Sequence, residues 1–293
     1  MDGLLYVDKP AGITSHDVVA VVRRAARSKR VGHAGTLDPF ATGLLVLAVG
    51  ACTRLLPYVL GEPKVYEAVI RFGFETSTDD GTGTATAQAP LPDLHDVPAL
   101  AAAVTALTGA IAQQPPAFSA KHVNGQRAYA LARRGVDVVL PPVAVVVHEW
   151  TLLAASDERL TVRISCGGGT YVRALARDIG RALGSAAHCE SLRRVASGEA
   201  SVTDAVALEL LTPGAIANGT VQLHSPLPAL GAVAHERLSE GALIDLSFGR
   251  PVPATETGEM AALLDGSRVV AIARRTPDNR WQPKVVLLGA ADA

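Results

Sequence analysis

Apolar and polar residues alternate in two segments, which predicts two strands with one buried face each. In residues 66–74 and 160–166 every second side chain is apolar, and a period of two places such side chains on one face of a strand. Residues 4–7 and 44–50 are instead almost continuously apolar. These two runs predict a short strand and a buried strand.

Apolar residues at helical spacing predict three helices. In residues 16–28 one face is apolar and the arginines lie mainly on the other; the apolar face comprises Val18, Val19, Val22, Ala25 and Ala26. Ser15 is a good N-cap residue. Residues 97–107 are rich in alanine and predict a second helix. Residues 170–183 predict a third, in which arginines spaced by four form a basic stripe, Arg173, Arg177 and Arg181.

Turn-forming residues separate a C-terminal segment of the chain from the rest. Residues 225–228 read Ser-Pro-Leu-Pro and are the best linker candidate. Beyond them, short apolar runs separated by turns predict a small β-rich domain. We therefore predict one domain of residues 1–227 and a second of residues 228–293.

Composition restricts the class of protein. The chain has 293 residues, of which 48% are hydrophobic and 19% charged, which is typical of a globular protein with a sizeable core. It contains no apolar run long enough for a transmembrane helix and no N-terminal signal pattern, so we expect a cytoplasmic protein. The three cysteines are widely spaced and the histidines are scattered. Neither a disulfide framework nor a metal site is expected.

The net charge of -1 argues against a generic nucleic-acid binder, but the cations are unevenly distributed. Five lie within residues 23–30, four lie in the acid-free segment 118–135, and five arginines lie within residues 173–194. A neutral total is therefore compatible with a basic face. The alternative is that each cluster is an ordinary solvated surface.

A glycine-rich loop presents one carboxylate directly before the predicted buried strand. Pro39 disfavours the helical region for Asp38, and Gly35 and Gly43 permit backbone angles that other residues resist. A loop attached to a buried strand is a suitable place for an enzyme to hold a reactive side chain. An Asp-Pro turn with no catalytic role is the alternative.

The loop sequence, G-H-A-G-T-L-D-P-x-A-T-G over residues 32–43, resembles the catalytic motif of the tRNA pseudouridine-55 synthase family, the TruB-type enzymes. Further segments resemble other motifs of the family, in the same order along the chain. They are residues 8–15 (D-K-P-x-G-x-[ST]-S), 64–67 (K-x-Y-x), 76–80 (T-x-T-x-D), 118–129 (S-A-x-K-x-x-G-x-x-x-Y), 169–173 (G-T-Y-[IV]-R) and 191–194 (x-L-R-R).

The resemblance implies roles for individual residues. Asp38 is expected to be the nucleophile, and Arg173 to pair with it and keep it anionic. Tyr66 is expected to stack on the target base and to serve as acid or base. Substrate contacts or a role in shaping the site are implied for His33, Tyr171, Leu192, Asp80 and Lys9. Each of these residues also has an ordinary structural alternative, and for Asp79 we favour a solvated turn.

The resemblance also implies an RNA-gripping insertion of about residues 112–140. In the family this segment begins at the serine-alanine motif and holds the tRNA arm. Its basic, acid-free composition suits contact with phosphates. The expected backbone contacts are Lys121, Arg127, Arg133 and Arg134.

The implied fold is α+β, a pseudouridine synthase fold with a mixed, mostly antiparallel sheet flanked by helices and a small C-terminal PUA-like β-rich domain. The implied reaction is isomerisation of uridine 55 in the T-loop of tRNA, without cofactor, metal, membrane or obligatory protein partner. The residues leave open whether Asp38 attacks C6 of the base or C1′ of the sugar. Two alternatives are a guide-RNA-dependent synthase and a non-catalytic tRNA-folding or RNA-binding protein.

Overall fold

The computed structural model describes residues 1–59, 61–119, 122–123, 126–127, 134 and 140–288. The chain divides into two compact units. The first unit comprises residues 1–39, 43–61 and 198–293, and the second comprises residues 40–42 and 62–197.

The strands in the described residues are, in chain order, β1 (Gly3–Lys9), β2 (Val31–His33), β3 (Thr42–Val49), β4 (Lys64–Phe72), β5 (Phe74–Thr76), β6 (Ala85–Gln88), β7 (Gly109–Gln113), β8 (His122–Val123), β9 (Gln126–Arg127), β10 (Val143–Ala155), β11 (Arg159–Cys166), β12 (Ala187–Ser197), β13 (Ala200–Ser201), β14 (Val206–Ala207), β15 (Ala234–Arg237), β16 (Val252–Pro253), β17 (Met260–Asp265), β18 (Arg268–Arg275) and β19 (Arg280–Val286). The α-helices are α1 (Ser15–Ala25), α2 (Val97–Ala106), α3 (Val172–Ala182) and α4 (Glu240–Ser247). Short 3-10 helices span Gly50–Tyr58, Val202–Asp204, Leu208–Leu210 and Pro228–Leu230.

The N-terminal sheet of the first unit is built around β3, which is buried along nearly its whole length. Strands β1 and β2 both pair antiparallel with β3, and β14 pairs parallel with β1. The predicted buried strand at residues 44–50 is confirmed, although the strand ends at Val49 and Gly50 begins a 3-10 helix.

Helix α1 begins at Ser15, one residue earlier than expected. Thr14 is the N-cap residue, and it forms a capping box with Asp17 in which each side chain accepts from the other residue's backbone N–H. The prediction of Ser15 as the cap is wrong, because the Ser15 hydroxyl is engaged elsewhere in the fold. The helix also ends earlier than expected, at Ala25, because Arg27 takes a left-handed conformation with φ 49°.

The sheet of the second unit has the order β12-β4-β11-β10-β7, and all its pairs are antiparallel. The buried residues of β4 are Tyr66, Ala68, Ile70 and Phe72, which confirms the alternation predicted there. The predicted strand at residues 160–166 is confirmed by β11 and the predicted helix at residues 97–107 by α2. The predicted helix at residues 170–183 corresponds to α3, which packs against β12.

The C-terminal part of the first unit is a five-stranded sheet with the order β15-β17-β18-β19-β16. Strand β17 is buried on both faces, since Ala262 and Leu264 join a core with Leu4 and Leu44 of β1 and β3, whereas Leu263 joins a second core around Trp281. The β-rich character predicted for this region is confirmed. The boundary at residues 227/228 and the PUA-like identity stay predictions.

No helix in the described part of the chain is long and apolar enough to cross a membrane.

A buried carboxylate organises the second of these cores. Glu236 of β15 is 3% exposed and accepts hydrogen bonds from Thr255 N and Oγ, Glu256 N and Trp281 Nε1, at 2.6–2.9 Å. Burial by itself raises the pKa of Glu236, but these hydrogen bonds outweigh burial and lower it below the ordinary value. The ionised carboxylate therefore links β15 to β19 and to the 255–256 turn.

We predict that Glu236→Gln destabilises the fold by about 1–3 kcal/mol at pH 7, because an amide offers one acceptor oxygen to a site with several donors. Urea unfolding measures the loss, and Glu259→Gln, at an exposed glutamate, is the control. The folded-state pKa of Glu236 is depressed. The ionised carboxylate therefore contributes to the free energy of unfolding above its unfolded-state pKa, and this contribution is lost as the pH falls through the folded-state pKa. If the difference in unfolding free energy between Glu236→Gln and the control persists unchanged at low pH, the stabilising role assigned to the ionised carboxylate is contradicted.

Candidate active site

The loop that carries Asp38 lies in the first unit, between β2 and β3. Leu37 is buried, Asp38 is half-buried and Pro39 is exposed. This arrangement anchors the residue before the carboxylate in the core and leaves the carboxylate itself partly open to solvent.

Ser15 holds the backbone directly ahead of Asp38. Its hydroxyl is buried, accepts a hydrogen bond from Leu37 N at 2.9 Å and donates one to Leu37 O at 3.1 Å. A single side chain therefore satisfies both backbone polar groups of Leu37. The first residue of α1 thus determines the position of the loop.

Lys9 and Gly12 hold the backbone just after Asp38. Gly12 N donates to Pro39 O at 2.8 Å, and the fully buried Lys9 Nζ donates to the carbonyl oxygens of Pro10, Ile13 and Pro39, at 2.8–3.3 Å. Burial lowers the pKa of Lys9 to about 8, against the opposing effect of the nearby Asp38 carboxylate. The role of Lys9 seen here is to shape the loop, and a contact with substrate stays a prediction.

His33 is the last residue of β2 and is half-buried. Its ring makes an edge-to-face contact with the ring of His16 in α1, with 5.7 Å between centroids. This contact ties the strand that leads into the Asp38 loop to the same helix that carries Ser15.

Tyr66 and Leu192 share one face of the sheet in the second unit. Leu192 of β12 lies opposite Ala68 of β4, and Tyr66 lies opposite Arg194. Directly opposed residues of an antiparallel pair point to the same face, so Leu192 is a diagonal neighbour of Tyr66. Both side chains are at most 7% exposed. The structure therefore places Leu192 next to Tyr66, the residue expected to stack on the target base.

Gln113 positions the backbone of Tyr171 at the start of α3. Gln113 is buried at the end of β7, accepts from Tyr171 N at 2.8 Å and donates to Tyr171 O at 3.0 Å. The sequence reading missed Gln113, as it missed the contact of Ser15 with Leu37. Both residues act through main-chain atoms distant in sequence, and no local pattern reveals such contacts.

Arg173 is buried on α3 and organises the loop that contains Asp80. It donates to Thr78 O at 2.6 Å and to Phe118 O at 3.0 Å, and its Nη1 lies 3.4 Å from Asp80 Oδ2. The other oxygen of Asp80 accepts from the hydroxyl of Thr78 and from the backbone and hydroxyl of Thr82. The predicted pairing of Arg173 with Asp38 stays a prediction.

The stripe of arginines on α3 is matched by acidic residues of the segment 75–80. Arg177 pairs with Asp79 at 2.8 Å, and Arg181 binds both oxygens of Glu75 at 2.7 Å. The interpretation of this stripe as part of a basic face is wrong, because Arg173 and Arg177 are buried and all three arginines are ion-paired.

The prediction of Asp79 as a solvated turn is also wrong. Asp79 is 7% exposed, because its turn packs against α3. Burial raises the pKa of Asp79 to about 6, although Arg177 and Arg173 act in the opposite direction.

The predicted RNA-backbone contacts fall largely outside the described residues. Lys121 and Arg133 are outside them, as is the side chain of Arg127, whose backbone belongs to β9. Arg134 is described and exposed. The proposed role of these four cations stays a prediction.

Comparison with known families identifies the chain. Residues 23–172 match the family model described as TruB family pseudouridylate synthase (N terminal domain), and residues 173–222 match the tRNA pseudouridylate synthase B C-terminal domain. The chain belongs to the TruB family of pseudouridylate synthases. The resemblance predicted from the motifs is thereby confirmed.

Curated members of the TruB family match nearly the whole chain. The chain is 43% identical over 300 residues to tRNA pseudouridine synthase B of Thermobifida fusca (strain YX), covering 99% of both proteins. It is 40% identical to the protein of the same name from Solibacter usitatus (strain Ellin6076), over 98% of this chain and 100% of the relative.

Solved structures show the same fold at lower identity. The chain matches a chain of a Cbf5-Nop10-Gar1 complex with a TM-score of 0.73 and 21% identity, over 99% of this chain and 86% of that one. A chain of the archaeal box H/ACA sRNP Nop10-Cbf5 complex matches with a TM-score of 0.70 and 21% identity, over 98% and 86%. The predicted pseudouridine synthase fold is confirmed.

We predict that Ser15→Ala slows pseudouridine formation at saturating RNA by about tenfold or more, because a displacement of about 1 Å in a reacting group can cost roughly 100-fold. Both hydrogen bonds to Leu37 are lost and the Asp38 loop is free to shift. Single-turnover rates measure the effect, and Ser156→Ala, at an exposed serine of the second unit, is the matched control. A rate equal to that of the control would exclude a positioning role for Ser15.

Proposed function

We propose that this TruB-family protein converts uridine 55 in the T-loop of tRNA to pseudouridine, with Asp38 as the nucleophile. The observation that carries the proposal is the anchored loop. A half-exposed carboxylate follows a residue clamped at both backbone atoms, inside the motif that resembles the catalytic motif of the family.

Pseudouridine formation in tRNA is supported by the curated relatives, whose names describe this activity and which match the chain over almost its full length. The reaction is an isomerisation, because the base leaves the sugar through N1 and is rejoined through C5 with no net gain or loss of atoms. No oxidant, reductant or cofactor is required for that balance.

The target base must first leave its stack, at a cost of a few kcal/mol. Stacking on an aromatic ring returns about 1–3 kcal/mol, and Tyr66 is the proposed ring, with Leu192 beside it on the same sheet face. A largely apolar pocket suits a reaction in which the detached base is retained and turned, since it excludes water.

Asp38 then attacks the nucleoside by one of two routes. Addition at C6 of the base forms a covalent adduct with the ring, whereas displacement at C1′ of the sugar forms an ester and releases uracil as an anion. An elimination would instead break the same C1′–N1 bond with loss of a sugar proton. Tyr66 could move the sugar proton that an elimination requires. In this proposal Arg173 keeps Asp38 anionic, as the family motif implies, and the RNA partner is the T-arm stem-loop.

A guide-RNA-dependent synthase is one of the two alternatives that the sequence leaves open. Those neighbours are only 21% identical and show the fold alone, whereas the tRNA pseudouridine synthase B relatives are about twice as similar. Activity of the purified chain on naked tRNA, without guide RNA or partner proteins, separates the two readings.

We predict that the purified protein modifies an unmodified tRNA transcript at uridine 55 alone. We also predict that Asp38→Asn abolishes turnover while leaving tRNA binding intact. The substitution keeps the shape of the side chain but removes the anion that a nucleophile requires. Pseudouridine mapping and filter binding measure the two properties, with the exposed Asp157→Asn as control. Modification at another position would refute the site assignment, and full turnover by Asp38→Asn would refute the nucleophile.

A further inference from the structure

Five cations form an exposed patch at the end of α1 that the proposed mechanism does not use. Arg23, Arg24, Arg27, Lys29 and Arg30 all have exposed side chains. We call these five residues the α1 patch. It lies wholly within the first unit.

The cations of the α1 patch lack anionic partners within the described residues, whereas many other arginines of the chain have them. Elsewhere Arg71, Arg159, Arg163, Arg181 and Arg250 each pair with a carboxylate. Within the described residues, no member of the patch forms an ion pair, and only Arg23 donates a side-chain hydrogen bond, to Val31 O. The patch is therefore an uncompensated positive surface on a chain whose net charge is -1.

The end of the helix does not require these cations. Basic side chains often interact with the last carbonyls of a helix, but here backbone N–H groups bind those oxygens. Gly214 N donates to Arg24 O, both Ile216 N and Ala217 N donate to Ala25 O, and Ser28 N donates to Arg23 O. Hydrogen-bond capping is thus complete without the cationic side chains.

Arg27 occupies a position where glycine is preferred. The bonds Ser28 N to Arg23 O and Arg27 N to Arg24 O form a Schellman motif, which places Arg27 in the left-handed conformation with φ 49°. A residue with a Cβ is strained there. Strain at an exposed cation is consistent with a function of its charge.

The α1 patch is connected directly to the strand that leads into the candidate active site. Arg30 precedes β2, its carbonyl accepts from Gly50 N at 2.8 Å, and β2 ends at His33. At about 3.3 Å per residue, the Cα atom of Arg30 lies roughly 10 Å from that of His33. A polyanion that reaches His33 would pass within reach of the patch.

We propose that the α1 patch binds the phosphate backbone of the RNA whose nucleotide enters the Asp38 site. This inference rests on the proposed function. Arginine forks match phosphate oxygens, and the patch contains no aromatic residue on which a base could stack. The contact therefore positions the RNA and does not read its sequence.

The test compares two double variants that remove the same charge. Arg27→Gln/Arg30→Gln removes two unpaired cations, whereas Arg159→Gln/Arg163→Gln removes two cations that are neutralised by Glu190 and Glu67. For the patch variant we expect Kd for an unmodified tRNA transcript to rise at least about tenfold near 0.1 M salt, and the slope of log K against log[salt] to decrease by roughly 1.5. The control is expected to keep the wild-type slope. Equal slopes in both variants would overturn the proposal.

A single variant tests the strained residue. Arg27→Gly relieves the left-handed strain and is expected to raise Tm by about 2–4 °C while weakening tRNA binding. A higher Tm with unchanged affinity would show that the charge of Arg27 has no part in binding and would overturn the proposal for this residue.

These measurements distinguish a failure of the patch proposal from a failure of the proposed function. Binding is measured without turnover, so a wild-type protein that binds tRNA through the patch but leaves uridine 55 unmodified refutes the proposed reaction and supports the patch. A wild-type protein that modifies uridine 55, with a patch variant that behaves like the control, refutes the patch alone.

Discussion

The placement of Asp38 depends on one buried hydroxyl group. Ser15 binds both backbone atoms of Leu37, while Lys9 and Gly12 bind Pro39 O on the other side of the carboxylate. These anchors come from β1, the turn that follows it and the first residue of α1. The loop is therefore ordered when the protein folds, so in the proposed reaction the substrate does not have to order it on binding.

In the second unit, buried ion pairs rather than a hydroxyl group fix the geometry of a segment. Three arginines on α3 face three carboxylates of residues 75–80, and the two inner pairs are nearly inaccessible to solvent. A buried ion pair is weak evidence for stability, since desolvation offsets the attraction. What these pairs do provide is a defined geometry for the segment around Asp80. The outermost pair, between Arg181 and Glu75, is the most exposed of the three.

In the α1 patch, by contrast with α3, the positive charges are not neutralised within the described residues. Its cations are exposed, carry no carboxylate partners within the described residues and include an arginine in a glycine-like conformation. The net charge of -1 alone argued against a generic nucleic-acid binder. The contrast between neutralised arginines on α3 and uncompensated ones at the end of α1 explains how a nearly neutral chain presents a local positive surface.

The sequence by itself determined the family and the main strands and helices, and it predicted a chemical role for the Asp38 loop. Local periodicity is sufficient for elements such as β4, and motif spacing is sufficient for the family, because both depend on residues close together in the chain. Only the tertiary structure decided which cations are buried. A run of arginines four apart looks the same whether it faces water or carboxylates, so the pairing of α3 with residues 75–80 was not visible. Ser15 likewise looked like a helix cap, because its true partner lies 22 residues away and is brought to it only by folding.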